Sequence, residues 1–275
     1  PPFRTYPSEA EWQKHRQEIM ELLRSRVFGA FPLTQGMPEV SGGPPVEDYF
    51  KKISFESEPG VQIRALLHPP SEGEGPRPGL LYVASDKEDP RSVRQMFGQV
   101  RNPDNVIRLV VFPRGVGEIG WDKSFWKRSQ RNAMHVGQTV DSLRLWDVLQ
   151  AAEVLRSLEG VNPDRMTVLG TGVSGIIGLY AAILDEGIHQ VFLIRPPSSH
   201  EEGPLFLNVL RYLDLPEAAA LIAPRPLSFY GRLPTAYEPV VHVYELFGQS
   251  MRPFVSMDIE ATIQGRYDHN FSSGR

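Results

Sequence analysis

One segment of the sequence combines glycines and a serine at a spacing that could support catalysis or ligand binding. Residues 166–175, Met-Thr-Val-Leu-Gly-Thr-Gly-Val-Ser-Gly, form a short apolar strand pattern that turns through glycines into the helical pattern of residues 176–184. Such a turn serves two kinds of chemistry. It can bind a pyrophosphate at the helix N-terminus, or it can raise a nucleophilic serine above a sheet beside an N–H donor for an oxyanion.

The first alternative is a dinucleotide-binding turn. Gly170, Gly172 and Gly175 satisfy G-x-G-x-x-G, and Arg195, at the end of the next predicted strand, could meet a 2′-phosphate. A dinucleotide-binding unit normally opens its fold, whereas four predicted strands precede this turn. Pro196-Pro197 also follows where another βα unit should begin. The G-x-G-x-x-G match alone is therefore a weak indicator of nucleotide binding.

Predicted strands and helices alternate along most of the chain. Strand patterns occur at residues 50–56, 61–68, 80–83, 106–112, 166–169, 191–194, 226–230 and 254–259. The first two are expected to form a hairpin around Glu58-Pro59-Gly60. Apolar runs such as Leu109-Val110-Val111-Phe112 are typical of strands buried on both faces. We therefore predict an α/β protein with a mostly parallel eight-stranded sheet flanked by helices.

The chain before residue 50 is predicted to form an N-terminal helical arm. Ser8 and Glu11 make a capping-box pattern at the start of a helix over about residues 8–27. Eight glycines and prolines then fall between residues 28 and 48, too many for a regular element. We therefore divide the chain into a helix and Gly/Pro-rich arm over 1–49 and a main domain over 50–275.

Three further segments flank the predicted strands. They are Pro113-Arg114-Gly115-Val116-Gly117-Glu118, Asp164-Arg165-Met166 and Leu221-Ile222-Ala223-Pro224-Arg225-Pro226-Leu227. Together they resemble the acetyl xylan esterases and related carbohydrate esterases of the α/β-hydrolase superfamily, over about residues 50–271. The resemblance implies an α/β-hydrolase fold and hydrolysis of acetyl or similar esters on polysaccharides without a cofactor. It also implies a nucleophile elbow after the fifth strand and places His269 at the catalytic histidine.

Three positions that this resemblance makes catalytic are changed. The nucleophile falls on Gly172, which has no side chain to attack with but suits the positive φ that an elbow imposes. The acid after the seventh strand falls on Pro234. Ala84-Ser85-Asp86 stands where related enzymes carry a His-Gly pair that helps to build the oxyanion hole. The backbone at Gly172 and Val173 would still supply the elbow and one oxyanion donor.

A hydrolase would have to rebuild its site from other residues. Ser174 could attack, with His269 as base and Glu201 as orienting acid. Glu201 and Glu202 follow the sixth strand, a location that resembles the acid position of some glucuronoyl esterases. In the alternative interpretation the Ser174 hydroxyl binds backbone in the first turn of its helix, and Asp214, another candidate acid, is a helix N-cap.

Two functions of different classes therefore stay open. One is a carbohydrate-ester hydrolase that uses Ser174 and His269, and the other is a non-hydrolytic descendant that binds a glycan or another small ligand. Arg114, Trp121 and Trp126 are expected near the C-terminal edge of the sheet, in a loop after the fourth strand, where they could contact a sugar. The aromatic rings could equally pack the loop onto itself.

Composition excludes several partners. With 29 basic and 33 acidic residues, the net charge of −4 gives no field that would recruit nucleic acid or an anionic membrane. The chain has no cysteine, and His200 beside Glu201 and Glu202 lacks the spacing of a metal motif, so we expect no metal.

No apolar run reaches the length of a membrane span, which predicts a soluble protein. Cytoplasmic and bacterial secreted or periplasmic locations both stay open, as does the oligomeric state. The start at Pro1-Pro2 is typical of a trimmed or processed chain.

Overall fold

The computed structural model describes residues 3–32, 36–46, 50–68, 75–97, 105–248 and 253–263. Its strands are β1 Val40–Val46, β2 Phe50–Glu58, β3 Val61–His68, β4 Arg77–Val83, β5 Ile107–Phe112, β6 Val161–Thr171, β7 Gln190–Ile194, β8 Leu227–Tyr230 and β9 Phe254–Ser256. They form one sheet in the order β1-β2-β3-β5-β4-β6-β7-β8-β9. The first three pairings in this order are antiparallel, and the remaining five are parallel.

The sheet confirms the predicted α/β class and corrects the strand count. The described residues contain nine strands, because β1 forms within the segment that the sequence indicated to be irregular. β1 pairs with β2 at the edge of the sheet, with a register shift between Gly42 and Pro45. Proline has no N–H to donate to a neighbouring strand. An edge strand tolerates it at positions whose backbone nitrogen faces away from the paired strand. The predicted hairpin is confirmed, since β2 pairs with β3 in antiparallel register.

The helices are α1 Glu9–Leu22, α2 Pro90–Phe97, α3 Lys123–His135, α4 Val140–Ser157, α5 Val173–Leu184, α6 Leu215–Ala220, α7 Glu238–Leu246 and α8 Ile259–Ile263. The predicted N-terminal helix is confirmed, and its N-cap is Ser8. The tract containing Trp126 was predicted to be a loop, but it forms the start of α3, because Asp122 caps that helix through the N–H of Phe125. No helix among the described residues is long and apolar enough to cross a membrane.

Both faces of the sheet are covered, as the continuous apolar runs predicted. Alternate residues of β4 belong to different clusters: Leu81 and Val83 pack with residues of α1 and α4–α7 on one face. Leu80 and Tyr82 pack with residues of α2 and α8 on the other face. Side chains of a strand point alternately to opposite faces, so a strand buried on both sides has no polar alternation.

The strand order puts a topological switch point at the C-terminal edge of β4, the place where open α/β sheets form a ligand crevice. β4 pairs with β5 on one side and with β6 on the other, so the chain crosses over β4 between those two strands. Open α/β sheets bind ligands where the direction of winding reverses in this way. The loops after β4, β5 and β6 therefore meet at the candidate site.

Candidate functional site

The turn between β6 and α5 has glycine at its apex. Gly172 adopts φ +60° and ψ −127°, and its N–H donates to the carbonyl of Ile194 at 2.8 Å. A Cβ at this position would lie 4.0 Å from its nearest neighbour outside the adjacent residues, the carbonyl oxygen of Arg195. The turn therefore has room for a side chain but a backbone conformation that L-residues rarely adopt.

The two glycines that flank the apex have a packing role. A Cβ on Gly170 would lie 2.7 Å from the Cα of Gly175, and a Cβ on Gly175 would lie 2.6 Å from the carbonyl oxygen of Gly170. Close strand-to-helix approach thus accounts for two glycines of the G-x-G-x-x-G pattern. Arg195, the predicted partner of a 2′-phosphate, is exposed at the end of β7.

Ser174 lies in the first turn of α5 and bonds to backbone. Its hydroxyl donates to the carbonyl of Thr171 at 2.9 Å, and only 5% of the residue is exposed. Val173, directly after the apex, is 38% exposed. His269, the predicted base, lies outside the described residues. The Ser174–His269 pair of the sequence hypothesis therefore stays a prediction.

The candidate acids after β7 have different surroundings. Glu201 and Glu202 are exposed on a turn. Asp214 accepts from the His200 N–H at 2.8 Å, the Ser199 hydroxyl at 2.7 Å and the Leu215 N–H at 2.7 Å. Burial raises the pKa of Asp214, but these three donors outweigh burial and hold its pKa below the ordinary value. Asp214 is thus the N-cap of α6, as one interpretation of the sequence predicted.

His200 is buried and fully bonded. One ring nitrogen, Nδ1, lies 3.0 Å from the carbonyl oxygen of Pro204, and the other, Nε2, lies 2.7 Å from the Tyr180 hydroxyl. Burial lowers the pKa of this histidine, so the neutral ring is favoured. Among the described residues no three His, Cys, Asp or Glu side chains form a group that could hold a metal ion.

Three polar residues of α4 hold loops at the edge of the sheet. Asp141, Arg144 and Asp147 are spaced three residues apart, which puts them on neighbouring turns of one helix face. We call them the α4 polar row. Arg144 and Asp147 are both buried, because the loops fold over them.

Together the members of the α4 polar row bind three loops. Asp147 accepts from the N–H and the guanidinium of Arg114, which directly follows Pro113 after β5. Arg144 donates to both carboxylate oxygens of Asp86 after β4, at 2.7 and 3.2 Å, and to the carbonyl of Arg114. Asp141 accepts from the N–H of Leu205, in the segment after β7.

Arg114 faces the interior. Its guanidinium bonds Asp147, and it also donates to Glu58 at 2.6 Å. Burial would lower the pKa of Arg114, but the two carboxylates outweigh burial and raise it. Arg114 therefore fixes the loop after β5. Its predicted role in contacting a substrate stays a prediction, because the guanidinium bonds Asp147 and Glu58.

The aromatic residues after β5 divide into a packed ring and exposed rings. The Trp121 ring packs directly against the backbone at Gly115. A Cβ added to Gly115 would lie only 2.6 Å from this ring. Phe125 is 45% exposed and Trp126 is 36% exposed, both in the first turn of α3. Trp126 thus presents an aromatic surface, whereas Trp121 serves mainly to hold the loop.

A further polar cluster stands in the loop after β4, at the Ala84-Ser85-Asp86 segment. Glu88 accepts from the N–H of Ser85 at 2.7 Å and from the Tyr82 hydroxyl at 2.5 Å. Sequence reasoning noted the loss of His-Gly here but missed Glu88. Ser85 and Glu88 have the S-x-x-E spacing, in which a glutamate carboxylate can accept from the N–H three residues before it. This spacing could have indicated the contact from the sequence.

Comparison with solved structures identifies proteins of similar architecture. A protein from Bacteroides fragilis, provisionally named an acetyl xylan esterase, matches with a TM-score of 0.74 and 15% identity, over 93% of this chain and 77% of that one. The glucuronoyl esterase from Solibacter usitatus matches with a TM-score of 0.64 and 15% identity, over 90% and 87% of the two chains. Acetyl xylan esterase 1 from Thermoanaerobacterium sp. matches with a TM-score of 0.56 and 15% identity, over 89% and 90%. The chain has the α/β-hydrolase fold.

No family model matches the sequence, and no curated protein matches it. In α/β-hydrolases the nucleophile stands on the elbow, and the oxyanion hole combines the N–H after it with an N–H from an earlier loop. The predicted elbow at Gly172 and the predicted oxyanion donor at Val173 lie on the turn between β6 and α5, and both roles stay predictions; the loop that corresponds to the earlier loop follows β4.

Proposed function

We propose that this chain is a non-hydrolytic α/β-hydrolase-fold protein that binds a carbohydrate or similar small ligand at the crevice beside β4. The observation that carries the proposal is the elbow itself. Gly172 occupies the apex with φ +60°, and the nearest serine along the chain, Ser174, donates its hydroxyl to the Thr171 carbonyl. No hydroxyl stands at the apex to attack an ester.

A relocated serine would need two changes before it could act. The Ser174 hydroxyl would have to leave the Thr171 carbonyl, and the first turn of α5 would have to unwind enough to expose a side chain that is 5% exposed. A serine nucleophile also needs a base within hydrogen-bond reach. The ester hydrolase that uses Ser174, His269 and Glu201 is therefore the competing proposal.

The ligand class rests on the site and on its structural neighbours. Trp126 and Phe125 expose aromatic surface on α3, which follows the loop after β5 at the C-terminal edge of the sheet. Flat aromatic faces present a large apolar contact area at the surface. The similar structures are named for esterases of acetylated xylan and of glucuronoyl groups, which supports a carbohydrate as the ligand here.

The test is hydrolysis of 4-nitrophenyl acetate and of an acetylated xylo-oligosaccharide by purified wild type, Ser174→Ala and His269→Ala. We expect all three proteins to match the rate without protein. If the wild type turns over and both variants lose about 10³-fold or more, the relocated-serine hydrolase replaces our proposal. Equal activity in all three above background would also overturn it, because a reaction independent of Ser174 and His269 would then be present.

A further inference from the structure

In the loop after β4 a carboxylate accepts a hydrogen bond from a backbone N–H of the same loop. Glu88 Oε2 accepts from the Ser85 N–H at 2.7 Å, and Glu88 Oε1 accepts from the Tyr82 hydroxyl at 2.5 Å. Burial and then the bond to Glu88 raise the pKa of Tyr82 well above its ordinary value, so this hydroxyl stays protonated and donates. Both oxygens of Glu88 are thereby fixed.

This cluster lies next to the elbow. β4 and β6 are neighbouring parallel strands, with Tyr82 paired to Leu169, and Thr171 lies two residues further along the same face of β6. The Thr171 side chain lies near the Tyr82 hydroxyl and opposes the rise of its pKa. The Tyr82 ring is fully buried and packs edge-on against Phe97 of α2. One hydroxyl group therefore lies near both Glu88 and the residue that precedes Gly172.

Glu88 is not needed to begin the helix that follows. The N-terminus of α2 is capped by Asp89, which accepts from the Ser92 N–H at 2.7 Å, while the Ser92 hydroxyl accepts from the Asp89 N–H at 3.0 Å. These reciprocal bonds form a capping box. The contacts of Glu88 are instead with Tyr82 of β4 and with the backbone that directly follows this strand.

We propose that Glu88 blocks the loop donor of the oxyanion hole and makes this corner of the crevice a hydrogen-bond acceptor. The inference rests on the proposed function, because it concerns the same site. A charge that develops on an ester oxygen needs N–H donors aimed at it, and a carboxylate beside it is repulsive. A ligand group that reaches this corner would donate to Glu88, as a sugar hydroxyl does, whereas an ester carbonyl cannot.

The test introduces a serine at residue 172 as a nucleophile and then removes the Glu88 carboxylate from the loop after β4. Gly172→Ser, Gly172→Ser/Glu88→Ala and Gly172→Ser/Asp89→Ala are treated with an alkyl fluorophosphonate, and peptide mass spectrometry measures the rate of modification at residue 172. In this reaction the serine oxygen bonds to phosphorus, fluoride leaves, and the hydroxyl proton passes to solvent or a neighbouring base. We expect Glu88→Ala to accelerate labelling at least tenfold and Asp89→Ala to leave the rate unchanged.

Two results would overturn the inference. Equal labelling of Gly172→Ser and its Glu88→Ala derivative, including no labelling of either, would show that Glu88 does not limit the hole. Equal acceleration by Asp89→Ala would assign the effect to a loosened loop. Thermal melting of each variant checks that it is folded.

A second measurement tests the bond itself in the otherwise unchanged protein. The Ser85 amide resonance is expected to move upfield in Glu88→Ala, because its acceptor is lost, and an unmoved resonance contradicts the proposal. Failure of the proposed function has a different signature. It would appear as Ser174-dependent hydrolysis by the wild type, which leaves the comparison at residue 172 unaffected.

Discussion

Arg114 and Asp147 form a two-point ion pair inside the protein. Nε and Nη2 of Arg114 donate to the two oxygens of Asp147 at 2.9 and 2.6 Å, and the Asp147 side chain has no exposed surface. This geometry combines charge with fixed direction, since a guanidinium matches a carboxylate at two points. The pair fastens the loop after β5 to α4.

Removing the charge of Asp147 should be costly. Asp147→Asn keeps the shape of the side chain but leaves a buried guanidinium short of one carboxylate, so we expect the free energy of unfolding to fall by about 3 kcal/mol. Urea unfolding measures the change. The matched control is Glu118→Gln, which breaks the half-exposed ion pairs of Glu118 with Lys52 and Arg64 and should cost no more than about 1 kcal/mol. Similar losses in both variants would contradict the structural role of the buried pair.

Alanine substitutions at Gly172 and Gly170 should destabilise the protein for different reasons, backbone strain at the first position and steric overlap at the second. Gly172→Ala meets no atom closer than 4.0 Å but must adopt φ +60°, so we expect a loss of about 1–3 kcal/mol in the free energy of unfolding. Gly170→Ala would bring its Cβ within 2.7 Å of the Gly175 backbone and should be destabilised more. Thermal or urea unfolding ranks the two variants. The reverse order would mean that the turn is not built as described.

Folding stability should depend on the protonation of His200. Burial lowers the pKa of this histidine in the folded protein, while its bonds to the Pro204 carbonyl and the charge of Asp214 oppose that shift only in part. As the pH falls through about 6.5, His200 therefore binds a proton in the unfolded chain but stays neutral in the folded protein. The contribution of His200 is complete above about pH 6.5 and is lost as pH falls through the folded pKa.

The measurement is urea unfolding between pH 7.5 and 5.5 for wild type and His200→Gln. The wild type should lose stability more steeply, by at most about 1.4 kcal/mol per pH unit for one proton. His189, whose pKa is also lowered by burial, is present in both proteins and cancels in the comparison. Asp214 titrates lower, because its pKa lies below its ordinary value. Identical slopes would show that His200 does not carry this dependence.

Ligand binding should involve Trp126. If its exposed face stacks on a sugar ring, Trp126→Ala should weaken binding of an acetylated xylo-oligosaccharide about tenfold, which equals about 1.4 kcal/mol. Isothermal titration calorimetry measures the affinity. Met134→Ala is the control, because Met134 is 48% exposed on the same helix, α3. Equal affinities of the two variants would exclude Trp126 from the site.

Local sequence patterns predicted the elements that are determined by residues close together in the sequence. The hairpin of β2 and β3 follows from β-type runs around a Pro-Gly turn, and the strand–turn–helix at residues 166–184 follows from its apolar and glycine pattern, whereas the apex at Gly172 was implied by the family resemblance. β1 was missed because its residues have low strand propensity, whereas pairing with β2 overrides that propensity.

The polar interior was not predictable from spacing alone. Arg144 and Asp147 have the residue types and the periodicity of a solvated helix face, and only the loops that fold over them make them buried. The contact between Glu88 and Tyr82 depends likewise on how the loop after β4 turns back to the sheet. Such contacts arise from tertiary structure, which a single sequence does not display.

The α4 polar row makes one helix responsible for the positions of three loops around the candidate site. Asp141, Arg144 and Asp147 hold the loops at Leu205, Asp86 and Arg114. Each residue added to or removed from a helix turns everything beyond it by about 100°. An insertion or deletion directly after Asp147 would therefore rotate the row relative to Ala151, Val154 and Leu155, which pack in the core, and move it away from all three loops at once. Evolution can reshape any one of these loops by itself, but it cannot change the length of this part of α4 without remaking the crevice.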